Sequence, residues 1–205
     1  MNMLCFVFFI AVALAKDSLV IGLDKDKNGD PVNYIKVEFG KCYYFGSDSG
    51  AMKFSKDGDN IKMTAYAEEG CKGTNVETQI TVDQLTQTLC ALDTKSTCYG
   101  SIRKAPTHVA FISLVQDDET CSHRDDTVRV YVTDSCYKCL GDYCKAEEEN
   151  GKMYLNTYAN DQCTGDKKLH EEQFECDTCK EGVMYQCGAI STMVLSVVAI
   201  LAFLL

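Results

Sequence analysis

Tryptophan is missing from this chain, proline occurs only twice, and no Asn-x-Ser/Thr triplet is present. The last absence removes the acceptor for an N-linked glycan. Common catalytic signatures are missing too: there is no Gly-x-Ser-x-Gly elbow, no His-Glu-x-x-His pair and no phosphate-cradling glycine loop. His108, His123 and His170 are scattered, and His123 sits in a charged run, "CSHRDD". The expectation is therefore a protein that is not an enzyme, with a secreted enzyme the least favoured reading. Positive charge is also short. Twenty Lys and Arg stand against thirty Asp and Glu, a net charge of −10, with no basic cluster. Nucleic acid and anionic lipid both require a positive surface, which argues against them as partners.

What the chain does have is grease at both ends and cysteine between them. "MNMLCFVFFIAVALAKDS" carries an apolar core from Met3 to Leu14, then Ala13-Leu14-Ala15, then the polar Lys16-Asp17. That reads as a secretory signal peptide over residues 1–15, although its start lacks Lys and Arg. Removing it takes Cys5 and leaves twelve of the thirteen cysteines: Cys42, Cys71, Cys90, Cys98, Cys121, Cys136, Cys139, Cys144, Cys163, Cys176, Cys179 and Cys187. A secreted chain with an even, dense set of cysteines is normally cross-linked.

The far end, Ala189 to Leu205, is seventeen residues without a charge. As a helix it would span roughly 25 Å, slightly under a hydrocarbon core of about 30 Å. Small residues before such a run, behind a signal peptide, form the pattern of a glycolipid (GPI) attachment signal, with Gly188, Ala189 and Ser191 as candidate anchor sites. A retained short membrane span is the alternative reading of residues 188–205. Either way the expected location is the secretory pathway to the outer face of the plasma membrane, with the membrane a partner through tail or glycolipid.

Between the ends the chain resembles itself. "IKMTAYAEEGCKG" (Ile61 to Gly73) matches "MYLNTYANDQCTG" (Met153 to Gly165) at a constant offset of 92, which sets Tyr66, Ala67, Cys71 and Gly73 on Tyr158, Ala159, Cys163 and Gly165. Upstream, "SKDGDN" answers "EEENGK", and Asp-Gly and Asn-Gly both favour tight hairpins. Cys42 answers Cys136, and the eight-apart pair Cys90/Cys98 answers Cys179/Cys187. The expectation is two tandem, disulfide-stapled, mainly β units, residues 16–104 and 105–187, each of short antiparallel strands. The eight-apart pairs are expected to close short loops. "VNYIKVEF", "VAFISLV" and "TVRVYVTD" carry the β-branched and aromatic residues of strands. A short helix is predicted over Val82 to Leu92, with Thr81 and Gln84 forming a capping box.

Two motifs invite metal. In "DKDKNGD", Asp24, Asp26, Asn28 and Asp30 alternate around Gly29 like the start of a calcium loop. The twelfth position is Ile35, however, where such a loop needs a bidentate Glu, so a plain polar turn is preferred and calcium is only a candidate cofactor. "CYKC" and "CDTC" have zinc or redox spacing, but behind a signal peptide disulfides are the default. "CYKCLGDYC" resembles the opening of three-finger domains over nine residues. Cys42 lacks the paired neighbour and the C-terminal end lacks the adjacent cysteines of that family, so the likeness is one of composition.

These observations lead to the expectation of a membrane-tethered, extracellular ligand-binding or adhesion module, whose partner is an unidentified extracellular protein or glycan. The alternative is a protective surface-coat protein with no specific ligand.

Overall fold

The computed structural model describes residues 17–44, 50–90, 98–115, 121 and 126–188. The signal segment, His123, Ala189 and Ser191 lie outside these residues. The described chain is mainly β. Its first half forms β1 (Ser18–Lys25), β2 (Pro31–Glu38), β3 (Cys42–Tyr44), β4 (Ala51–Asp57), β5 (Asn60–Glu68), β6 (Lys72–Thr81), helix α1 (Val82–Leu89) and β7 (Tyr99–Arg103). Its second half forms β8 (Val109–Val115), β9 (Arg129–Thr133), β10 (Tyr137–Cys139), β11 (Asp142–Glu149), β12 (Lys152–Tyr158), β13 (Leu169–Glu175), β14 (Thr178–Lys180) and β15 (Val183–Cys187).

Local chemistry explains the punctuation. Gly58 (φ +61°) turns β4 into β5, and Asn150 (φ +55°) with Gly151 (φ +76°) turns β11 into β12, as the Asp-Gly and Asn-Gly pairs predict. Thr81 caps α1: its hydroxyl accepts the Gln84 N–H at 3.1 Å, and the Gln84 side chain accepts the Thr81 N–H at 2.9 Å. The helix ends three residues short of the predicted Leu92, because Cys90 leaves helical geometry as its C-cap.

All the sheet pairings are antiparallel. One seven-stranded sheet runs β14-β15-β8-β9-β2-β1-β7, and two four-stranded sheets run β3-β4-β5-β6 and β10-β11-β12-β13. The order reads alike from either side of the β2–β9 pair: β2-β1-β7 in one direction, β9-β8-β15 in the other. That pair sets Tyr34 directly opposite Tyr131, with the rings stacked at 5.2 Å and an interplanar angle of 10°. The two halves of the chain therefore share one continuous sheet, and each contributes a four-stranded sheet of its own.

All twelve expected cysteines are bonded, each within its own half. Cys42–Cys71 and Cys136–Cys163 occupy matching places. Cys90–Cys98 closes the short loop expected of it. The expected Cys179–Cys187 bond does not form. Cys179 bonds Cys121, and Cys187 bonds Cys176. The β14–β15 register is the reason. It sets Thr178 against Tyr185 and Cys179 against Met184, so two residues further along Cys176 falls opposite Cys187. Cys139–Cys144 staples the β10–β11 hairpin, so neither Cys-x-x-Cys pair is joined internally.

The main core lies in the first half, between β1 and β2 on one side and β3 to β5 with α1 on the other. Leu19, Ile21, Val37, Tyr43, Phe54, Ile61 and Leu85 are all buried there. Gly100 on β7 lets the helix seat: a Cβ at that position would lie 1.9 Å from Thr86 Oγ1.

Candidate functional site

The corresponding space in the second half is not filled. Between the seven-stranded sheet and the β10–β13 sheet lies a cleft of about 340 Å³. The larger sheet contributes Asn33, Phe111, Val132 and Tyr185. The smaller contributes Tyr137, Ala146, Met153, Tyr154, Leu155 and Phe174, with Gln173 at the point where the β12–β13 register shifts. Met153 and Ala146 are buried, whereas Phe111, Val132, Tyr137, Leu155, Phe174 and Tyr185 stay half-exposed. No lining residue carries a charge.

Register explains why the cleft opens here. In the first half Phe54 lies opposite Met63, and the 92-residue offset carries that pair onto Ala146 and Leu155, which are also opposite each other. Where the first half buries a phenyl ring, the second has one methyl group. The second difference is the lid. Leu85 of α1 closes the first half's core. In the second half the chain returns as the β14–β15 hairpin instead, and Cys187 stands opposite Phe111 as Gly100 stands opposite Ile21.

The aromatic wall is fixed in place. Phe111 meets Phe174 edge-on at 4.8 Å, and Phe174 stacks on Tyr185 at 4.1 Å. The Cys176–Cys187 bond ties the strands two residues beyond Phe174 and Tyr185. The Cys136–Cys163 and Cys139–Cys144 bonds brace Tyr137 on both flanks. A pre-formed apolar cleft with a few polar groups is the usual shape of a small-molecule site.

A charged network occupies the β11–β13 sheet beyond the cleft. Glu147 accepts hydrogen bonds from Asn156 Nδ2 at 2.5 Å, Tyr158 Oη at 2.7 Å and Lys145 Nζ at 2.9 Å. Asn156 is completely buried, and its Oδ1 lies 2.7 Å from His170 Nδ1, whose ring stacks on Tyr154 at 4.0 Å. Burial works to raise the Glu147 carboxyl, but the bonds from Lys145, Tyr158 and Asn156 outweigh it and hold it at about 2. Glu147 is therefore a fixed anion that joins β11 to β12. His170 is brought into this network, whereas His108 lies apart, 2.9 Å from Ser135 Oγ.

The candidate calcium residues form a turn. Asp26 Oδ1 accepts the N–H of Asn28 at 2.8 Å and of Asp30 at 2.9 Å, and its Oδ2 accepts the Ser135 hydroxyl at 3.2 Å. Asp30 pairs with Arg103, and Asp24 takes positive φ at +56°. Among the described residues, no group of three or more His, Cys, Asp or Glu is placed to hold a metal. Of the candidate anchor residues only Gly188 is described; its N–H donates to the Ala110 carbonyl at 3.0 Å. No helix among the described residues is long and apolar enough to cross a membrane.

Composition and motif search missed the cleft, yet a signal was present: the same offset that aligns Tyr66 with Tyr158 aligns Phe54 with Ala146. Comparison with protein-family models, curated proteins and solved structures finds no match to this chain. Six disulfides suit an oxidising compartment, either the secretory pathway or the extracellular space.

Proposed function

We propose that this protein is an extracellular binding module, held at the outer face of a plasma membrane by its C-terminal tail, which displays the cleft of its second half to a ligand. The observation that carries the reading is the uncharged cleft walled by Phe111, Phe174 and Tyr185, where the matching register of the first half holds the buried Phe54. Clustered apolar exposure in a concave site is unfavourable in water unless something occupies it. The cross-linking supports a harsh, oxidising working environment. The tether rests on the apolar run from Ala189 to Leu205, with Gly188, Ala189 or Ser191 as the glycolipid attachment point. Two tandem units, divided near Lys104, are part of the same reading.

Mass spectrometry of the protein extracted from membranes tests it. The native spectrum should carry an added mass that leaves as the chain unfolds, and the C-terminal peptide should end near Gly188 with a glycolipid remnant. A peptide reaching Leu205 would replace the glycolipid with a retained span. A ligand-free native spectrum, with no saturable binding to any probe, would move the reading to a protective coat.

A further inference from the structure

We infer that the cleft takes an uncharged, predominantly apolar small molecule bearing a few hydrogen-bonding groups; this rests on the binding-module reading above. Its size comes first. At about 340 Å³ the cleft stands at the small end of the range for small-molecule sites, roughly 300–1,000 Å³. A folded peptide segment would not fit inside it, but a fused-ring or short-chain compound would.

Charge comes second. No Asp, Glu, Lys, Arg or His lines the cleft. An ionised ligand would lose its hydration without gaining a partner, and that cost is large in an apolar site. Glu147, next in the chain to Ala146, already accepts hydrogen bonds from Lys145, Asn156 and Tyr158.

Polarity comes third. The wall offers the ring faces of Phe111, Phe174 and Tyr185 and the aliphatic surface of Met153 and Leu155. Its polar groups are the amides of Asn33 and Gln173 and the hydroxyls of Tyr137, Tyr154 and Tyr185. Each polar group that a ligand buries here without a partner is unfavourable. An apolar body with a few polar groups matches what the cleft supplies.

The first half shows what filling the space does. At the position corresponding to Ala146 it carries Phe54, buried against Ile61 and Tyr43. The ligand would stand in for that ring.

The test uses two fluorescent probes that differ by one charged group, N-phenyl-1-naphthylamine and its sulfonated counterpart 1-anilinonaphthalene-8-sulfonate. The chain has no tryptophan, so probe emission is read without that background. The intact disulfide-bonded protein is expected to bind the neutral probe saturably at one per chain, at least tenfold more tightly than the sulfonate. Ala146→Phe should abolish that binding while holding or raising the melting temperature. If Ala146→Phe fails to fold, Tyr185→Ala decides, with an expected tenfold or greater weakening. Val76→Ser, on exposed β6 of the other half, should leave binding unchanged. Equal binding of the sulfonate, or binding indifferent to both cleft variants, overturns the inference. If the neutral probe does not bind but native spectra show a charged ligand, the ligand class falls and the binding module stands. If neither probe nor ligand binds, both fall.

Discussion

The two halves of this chain share a strand order and differ in what fills the space between their sheets. The first half buries Phe54 and closes the gap with Leu85 of α1. The second places Ala146 at the corresponding register and returns as a disulfide-closed hairpin, which leaves a cleft walled by Phe111, Phe174 and Tyr185. The same scaffold thus holds a packed core once and an open cleft once. A difference of one aromatic ring at one inward position, plus one exchanged lid, accounts for the contrast.

The largest expected effect comes from separating the halves. Residues 16–104 contain every member of the main buried cluster and both of their own disulfides. Under oxidising conditions this fragment should show a cooperative thermal transition by circular dichroism. Residues 105–188, with a cleft in place of that core and β9 left as an open edge, should melt well below it. An unfolded first fragment would mean that the halves depend on one common core.

A smaller effect is expected from Phe54→Ala, which gives the first half the residue of the second. Truncating a buried phenylalanine costs about 3–5 kcal/mol, to be read from denaturant unfolding. A loss below about 1 kcal/mol would show that the space collapses, and the comparison with Ala146 would lose its force.

The smallest effect concerns the network that the first half lacks, where Ser55, Thr64 and Glu77 stand at the registers of Glu147, Asn156 and His170. The Glu147 carboxyl is held at about 2, below its ordinary value near 4.3. A depressed carboxyl contributes stability above its unfolded value, and that contribution fades as pH falls through the folded one. Glu147→Gln should therefore lower the melting temperature at pH 7, and the gap to wild type should close between about pH 4 and pH 2. Solvent screens this partly exposed group, so the shift should be a few degrees at most. A gap that persists at pH 2 would assign the effect to lost packing.

Much of the fold was legible because it is written locally. The strands around Val32, Val109 and Thr127 follow from β-branched and aromatic runs, and the Thr81–Gln84 box sits where the helix begins. The hairpins at Gly58 and Gly151 follow from turn chemistry. The remainder depends on partners distant in sequence. Pairing of Tyr34 with Tyr131 joins strands almost a hundred residues apart, and no local pattern announces it. Cys179 and Cys187 share the spacing of Cys90 and Cys98, but only the hairpin register shows that Cys176 faces Cys187. The candidate site was hidden for the same reason: Ala146 is unremarkable until its inward face and its counterpart Phe54 are known together.

The β2–β9 seam has a consequence for where such a molecule can work. An antiparallel pair built from corresponding strands, with tyrosine stacked on tyrosine at its centre, has the self-complementary form of a twofold dimer interface. Between separate chains such a seam would come apart on dilution, because its population would follow mass action. Here a single backbone joins its two sides, so it forms at an effective concentration set by the connecting chain. One isolated molecule, however sparse its copies, keeps the whole seven-stranded sheet.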